Sequence, residues 1–369
     1  MNIVFVLPRA GSRPIGGFKV VYEYANELAR RGHHVRVLHP ALMRTRKHYS
    51  RIKFYLKSYA RYLKGIAHNS WRPVNWFSVD PRVEMCWVRA ISTNAFKAAD
   101  VVVATQWGTA EEIAALPNYG ERRAYLIQHL ETWDGPEDRV RATWRLPFAK
   151  IVIANWLRDV AHEMGEESVY IANGLDFNQF NCVVPIQNRT KSIAMMVHPA
   201  DWKGTADGLK AIAIAKKSHP TLTAELFGVD PRPDSLPDWI AYHRRPSQEA
   251  LKLIYNNAAI FIAPSWSEGW PLPPAEAMMC GAAVAGTDIG GHREYMVHRE
   301  TAMLSPPNQP QLLAGNLLRL LEDDELRYSI AHSGNVFIQK FTWTTAADKL
   351  EQMFFNLSTK RQPDLQLAK

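Results

Sequence analysis

The chain has 369 residues, 47% of them apolar and 22% charged, long for one core and comfortable for two domains. No apolar run reaches the 18 residues of a membrane-spanning helix, and Cys86, Cys182 and Cys280 are odd in number, far apart and in no metal-ligand spacing, which reads as a chain of a reducing cytosol. The net charge of +8 is local: residues 41–79 hold nine Lys and Arg and no Asp or Glu, and elsewhere the charges nearly cancel, so composition argues for one anionic contact surface and against a generally basic protein.

Strand and helix patterns alternate through the first half, the mark of a doubly wound α/β domain. Residues 2–7 form the first strand, ending at Pro8 and too short and poorly flanked for a signal peptide. Pro14-Ile-Gly-Gly-Phe-Lys then feeds a helix over 20–31, with Val20, Tyr24 and Leu28 at helical spacing and Gly32 as its stop. Residues 35–39 are the second strand. Gly16 and Gly17 read either as a plain turn or as a phosphate-facing loop at a helix start, and no G-x-G-x-x-G pattern follows the first strand.

The basic segment comes next. Ile52, Leu56, Tyr59, Leu63 and Ile66 fall at helical spacing, Arg51, Lys53, Lys57, Arg61 and Lys64 occupy other faces, and Tyr49, Phe54, Tyr55 and Tyr62 edge the stripe. Such a basic amphipathic helix suits an anionic membrane surface or an acidic acceptor, which makes residues 44–66 a candidate peripheral membrane contact. An ordinary solvated helix packing its stripe on its own domain fits equally well. Nucleic acid is the lesser reading, since no recognised binding motif accompanies the charge.

Further strands are expected at 99–105, with Gln106-Trp-Gly-Thr-Ala-Glu opening a helix, then at 123–129, 150–155 and 168–171. His129 closes its strand at the carboxyl end, the edge that faces a ligand crevice in an open α/β sheet. After a polar linker over 181–189, a second domain opens with a strand at 192–198, the loop Pro199-Ala-Asp-Trp-Lys-Gly204 and a helix to about residue 217. A strand at 224–228 and a helix at 247–256 lead to the apolar run 259–264. The string from Ser265 to Gly286 then reads strand end, tight loop, short helix, strand. Gly269 and Pro271 break the chain, Pro273 and Pro274 suit a first helical turn, and Gly281 ends the helix. Glu268 and Glu276 stand on either side of this loop, where free N–H groups at the helix start suit phosphate and the carboxylates suit sugar or ribose hydroxyls. Helices over 308–322 and 324–340 and a final amphipathic helix from Thr342 follow, with a polar tail expected to be disordered after about Ser358.

Glu268 and Glu276 with Gly269, Pro271, Pro273, Ala275, Met278, Gly281, Val284 and then Gly290-Gly-His-Arg-Glu294 form a long ordered string that resembles the donor-site signature of retaining family 4 glycosyltransferases. The glycine pair, helix and Arg31-Gly-His-His-Val, and the turn Asn173-Gly-Leu-Asp-Phe-Asn-Gln-Phe180, resemble the same family. The resemblance implies the GT-B fold: two Rossmann-like doubly wound α/β domains facing each other across a cleft, here 1–182 and 183–341, with 342–357 crossing back to the first domain and 358–369 as a tail. It implies retaining transfer of a hexosyl group from a nucleotide diphosphate sugar, a co-substrate rather than a cofactor, to a saccharide in polysaccharide biosynthesis; the basic helix adds a lipid-linked saccharide as an acceptor, and the lack of a metal motif makes the expected transfer metal-independent. The site would be cytoplasmic, with the inner face of the plasma membrane as an option.

On this resemblance Lys203, His129 and Glu268 are the candidate catalytic residues. Donor binding falls to Gly16, Gly17, His198, Lys203, Glu268, Gly269, Trp270 and Glu276. The family's loop usually offers Gly-Arg before Lys-Gly, and here His198 stands where the arginine is expected, so either the histidine substitutes as a donor or the phosphates have one permanent cation fewer. No Asp-x-Asp and no His/Cys cluster supports a metal site. Rival readings are a sugar phosphorylase or nucleotide-sugar hydrolase on the same fold, and a non-catalytic carbohydrate-binding or membrane-docking protein.

Overall fold

The computed structural model describes residues 1–44, 50–118, 120–234 and 236–359, and of Arg51 the backbone alone. The chain divides into two units, one of Met1–Gly174 with the stretch from Trp343 onward, the other of Leu175–Thr342.

The first unit runs β1 (Asn2–Val6), α1 (Gly16–Arg30), β2 (His34–Pro40), α2 (Arg51–His68), β3 (Glu84–Val88), β4 (Val101–Ala104), α3 (Trp107–Ala114), β5 (Arg122–Ile127), α4 (Glu137–Trp144), β6 (Ala149–Val152), α5 (Asn155–Glu163) and β7 (Ser168–Tyr170). All seven strands pair in parallel, in the order β3-β2-β1-β4-β5-β6-β7. The near-continuous apolar runs of β1 and β4 follow from that order, since central parallel strands are covered on both faces, and Val4, Phe5, Val102 and Val103 are fully buried. Between β1 and β4 the strand order reverses, which opens a crevice at their carboxyl ends.

The second unit repeats the plan with β8 (Ser192–Val197), α6 (Thr205–Ser218), β9 (Thr223–Gly228), β10 (Ile240–Arg244), α7 (Gln248–Asn257), β11 (Ile260–Ala263), α8 (Leu272–Met279), β12 (Ala283–Thr287), β13 (Met303–Ser305), α9 (Pro310–Glu322) and α10 (Asp324–Ile338). Its order is β10-β9-β8-β11-β12-β13, again parallel, with the reversal between β8 and β11. Ile193, Met195, Ile260 and Ile262 join Leu313, Leu317 and Leu320 of α9 in its core.

The last helix, α11 (Trp343–Thr359), belongs to the first unit. Arg31 Nη1 reaches Asp348 at 2.7 Å and Glu351 at 2.8 Å, His33 Nε2 lies 2.6 Å from Glu351, and Trp343 meets Tyr24 edge-on at 5.3 Å. Gly174 permits the approach, because a Cβ there would fall 2.4 Å from the Trp343 backbone. The division falls at Gly174/Leu175 and not at 182/183, since Phe180 packs on Tyr255 at 5.6 Å and Asn256 Oδ1 accepts from Val183 N–H at 2.7 Å. The expected linker over 181–189 is largely exposed but anchored at its end: Arg189 is buried and donates to the carbonyls of Val184, Ala258 and Cys280. The expectation of a disordered tail lies, from residue 360 on, outside the described residues. Among the described residues no helix is long and apolar enough to cross a membrane.

His39, at the end of β2, is buried with Nδ1–H donating to the Arg9 carbonyl at 2.7 Å and Nε2 accepting from Tyr22 OH at 3.2 Å. Burial lowers its pKa from 6.5 to about 4, against the raising effect of the Arg9 contact. A depressed folded-state value means stability that is full above the unfolded imidazole range and lost as pH falls toward about 4. We expect a loss of about 2 kcal/mol from this group by pH 5, read as a falling Tm between pH 7 and 5 that flattens in His39→Gln.

Candidate functional site

The crevice of the second unit is bordered by the loops that leave β8 and β11. Gly204 holds the first of these against the second: it takes φ +64° as N-cap of α6, and a Cβ there would sit 2.0 Å from the Pro264 carbonyl oxygen. Trp266 N–H donates to the Trp202 carbonyl at 2.7 Å, and the Trp266 indole N–H to Asp207 at 2.8 Å. Lys203, the residue before that glycine, is thereby brought onto Glu268, with Nζ 2.7 Å from Oε1 and 2.8 Å from Oε2.

Ser265 Oγ also donates to Glu268 Oε1 at 2.8 Å, and the ion pair is largely withdrawn from solvent. Burial alone would raise the Glu268 carboxyl. The Lys203 ammonium, the Ser265 hydroxyl and His292 outweigh it and hold the group below its ordinary value, so it is a carboxylate at neutral pH. The backbone beneath it rests on the later part of the signature, since a Cβ at Gly291 would fall 2.5 Å from the Glu268 carbonyl oxygen. Next to that glycine, buried His292 donates from Nδ1 to the Thr287 carbonyl at 2.7 Å, and its buried Nε2 has no partner among the described residues.

His198 begins the β8 loop. Its Nδ1 accepts from Ala200 N–H at 3.1 Å, which leaves the proton of the neutral ring on Nε2. Burial and then the Lys203 charge lower its pKa, so at neutral pH it offers a hydrogen-bond donor and no positive charge. The α6 start beside it, Thr205 to Asp207, has no side-chain cap.

Glu276 is the fifth residue of α8 and is buried, accepting from Tyr255 OH at 3.1 Å through Oε2. The start of α8 offers fewer N–H groups than expected, because Pro273 and Pro274 have none. The Trp270 indole is buried against Tyr295 at 4.7 Å and Phe341 at 5.5 Å, so its side chain is core packing and only its backbone remains for a ligand. Gly269 shares the carbonyl contact with Gly291 described for Glu268.

In the first unit α1 starts at Gly16, where a Cβ would meet nothing within 4 Å, and Gly17 is held by Gln128, whose Nε2 donates to its carbonyl at 3.1 Å. That contact brings the glycine pair to the end of β5, where His129 Nδ1 accepts from Leu130 N–H at 2.8 Å and its ring lies edge-on to Trp133 and Trp156 at 4.2 and 5.2 Å. Lys53, Lys57, Arg61 and Lys64 are exposed on α2, while the side chain of Arg51 lies outside the described residues. Ser265, Tyr255 and His292 are the site partners to which no chemistry was assigned from sequence. Ser265, three residues before the acid, carried a usable signal, whereas Tyr255 reads as an ordinary apolar helix position.

Two parallel α/β units with this strand order are the architecture of GT-B glycosyltransferases. The chain superposes on sucrose-phosphate synthase from Thermosynechococcus elongatus with a TM-score of 0.72 at 17% identity, over 96% of this chain and 98% of that one. It superposes on Anabaena HepE, solved in complex with UDP and glucose, with a TM-score of 0.71 at 16% identity, over 96% and 100%. These likenesses establish the fold. Residues 184–336, within the second unit, match the model of the family described as Glycosyl transferases group 1. D-inositol 3-phosphate glycosyltransferase of Corynebacterium efficiens is 28% identical over 158 residues, 41% of this chain and 36% of that protein. The chain spans about a third of the length of the curated relatives it matches.

Proposed function

We propose that the chain is a retaining, metal-independent hexosyltransferase that moves a sugar from a nucleotide diphosphate donor to a saccharide or lipid-linked saccharide acceptor in polysaccharide biosynthesis. The observation that carries this reading is the Lys203 ammonium held at 2.7 Å from Glu268 where the strand order of the second sheet reverses. Departure of a nucleoside diphosphate builds negative charge on the leaving oxygen, and a preorganised cation with the uncapped N-terminus of α6 beside it is suited to stabilise that charge. Two of the three ammonium protons serve Glu268, and the third is available in geometry for a phosphate oxygen.

Glu268 orients hydroxyls of the transferred sugar, Glu276 takes the ribose, and His129 donates from Nε2 on the acceptor side. The acceptor attacks on the leaving-group face, with no double-displacement nucleophile assigned. The three cysteines are unpaired, as a cytoplasmic enzyme requires, and a lipid-linked acceptor would bring it to the inner face of the plasma membrane.

A thermal-shift panel of UDP, GDP, TDP and ADP tests the reading, because a ligand of the folded state raises Tm. UDP heads the panel since HepE was solved with it. One nucleotide should raise Tm clearly above the other three, by about 3 kcal/mol of added stability at a hundredfold excess over Kd. Four flat curves would overturn the donor site.

A further inference from the structure

Among the described residues, the apolar stripe of α2 stays outside the packing of its own domain. Ile52 is 74% exposed, Leu56 64%, Tyr59 49%, Leu63 49% and Ile66 55%. The helix meets its domain through a different face, formed by Phe54, Ser58 and Gly65: a Cβ at Gly65 would fall 2.3 Å from Trp87 Nε1, and that indole N–H donates to the Tyr62 carbonyl at 3.0 Å. A third face carries Lys53, Lys57, Arg61 and Lys64, all exposed. On a helix of 3.6 residues per turn these three sets occupy separate arcs: the cations lie next to the contact face, and Lys53 and Lys64 come nearest the apolar arc, about 60–80° from its edge. Tyr55, under the Arg89 guanidinium at 4.4 Å and parallel to Tyr59 at 6.5 Å, marks the opposite edge of the stripe.

We infer that α2 is an interfacial anchor that lies along an anionic lipid bilayer, with Ile52, Leu56, Tyr59, Leu63 and Ile66 among the acyl-chain ends and the flanking cations on the headgroups. Charge decides between a bilayer and a second copy of the chain. Residues 41–79 contain no acid, so the same face of another copy brings more cations and nothing to neutralise them, whereas an anionic leaflet complements both arcs at once. The small contact face fits a helix laid on a surface, since Gly65 sets its backbone against Trp87 and leaves the long side chains outward. The inference rests on the proposed function only for which leaflet is used; the binding itself needs neither donor nor acceptor.

Sedimentation with vesicles tests it, using phosphatidylcholine alone and phosphatidylcholine with about one-third phosphatidylglycerol. The full chain should partition onto the anionic vesicles only, and less at high salt. Lys53→Gln with Lys57→Gln should weaken partitioning about 30-fold, at about fivefold for each cation. Leu56→Gln with Leu63→Gln, both at exposed positions, should weaken it on the order of 100-fold. Nucleotide-induced Tm shifts should be unchanged in both, so a failed donor site and a failed anchor give different results. Absence of wild-type binding to anionic vesicles overturns the inference, as does undiminished binding of the leucine variant. Two further results count against it: a wild-type dimer that the leucine variant dissociates, or tight salt-sensitive DNA binding without vesicle binding.

Discussion

Lys203→Ala should lower sugar-transfer turnover by about 10²–10³, the cost of removing one preorganised donor to a developing oxyanion. It is the only Lys or Arg in the loops 198–204 and 264–271, and His198 beside it is held neutral by burial and by that same ammonium, so no second charge compensates. The substitution also leaves Glu268 buried without its counter-ion, which costs about 3–5 kcal/mol in comparable pairs. Turnover and folding would then fall together. The double variant Lys203→Ala with Glu268→Gln separates them by removing the stranded charge, with Glu268→Gln alone as its reference because that carboxylate itself orients the sugar: Tm should recover most of its loss while turnover stays well below that of Glu268→Gln. Recovery of both would make the lysine a structural partner of Glu268 and end its catalytic assignment. A pH series gives an independent check. In the wild type Glu268 is held below its ordinary value, whereas in the single variant burial is opposed only by Ser265 and His292 and the group moves up. A raised folded-state carboxyl costs stability at high pH and regains it as the group protonates, so the Tm gap between the two proteins should narrow below about pH 5.

How these residues come together was only partly visible in the chain. The central strands announce themselves because a strand covered on both faces must be apolar throughout, as in Val101-Val-Val-Ala and Ile260-Phe-Ile-Ala. The sheet edges do not: Glu84–Val88, Ile240–Arg244 and Met303–Ser305 are short, and the first two are part-exposed and charged at one end, so they carry neither a buried run nor a strict alternation. Helices α4 and α5 are likewise short, and α4 is mostly polar. In the site, Glu268, Glu276 and Lys203 are legible as chemistry, but their pairing is a tertiary fact. It depends on Gly204 meeting the Pro264 carbonyl and on Gly291 meeting the backbone of Glu268, and the motifs that contain these glycines do not say what each one meets. At Trp270 the ring fills the space between Tyr295 and Phe341, and the part left for a ligand is the backbone. The amphipathic pattern of α2 likewise left open which arc touches the protein, because a stripe without its neighbours has no inside.

Glu276→Ala should weaken nucleotide binding about 100-fold, with a smaller effect on turnover of bound donor. The expected loss of about 3 kcal/mol is that of two hydrogen bonds to a charged acceptor. Tyr255 prepares this acceptor: its hydroxyl is driven well above the ordinary tyrosine range by burial and by Glu276 itself, so it stays protonated and donates to Oε2 at 3.1 Å. Tyr255→Phe keeps the ring packed against Phe180, Phe227 and Phe261 and removes only that donor, so it should cost severalfold in affinity and not a hundredfold. The assignment to ribose is sharper than affinity alone, because the sugar hydroxyl can be removed from the other side of the contact. Wild type should prefer UDP to 2′-deoxy-UDP by about tenfold, the worth of one charge-assisted hydrogen bond, and Glu276→Ala should bind the two alike. If the variant keeps the preference, another group reads the ribose. The buried carboxylate would then serve partners within the protein, Tyr255 among them, and its loss would appear in Tm without nucleotide and not in discrimination between nucleotides.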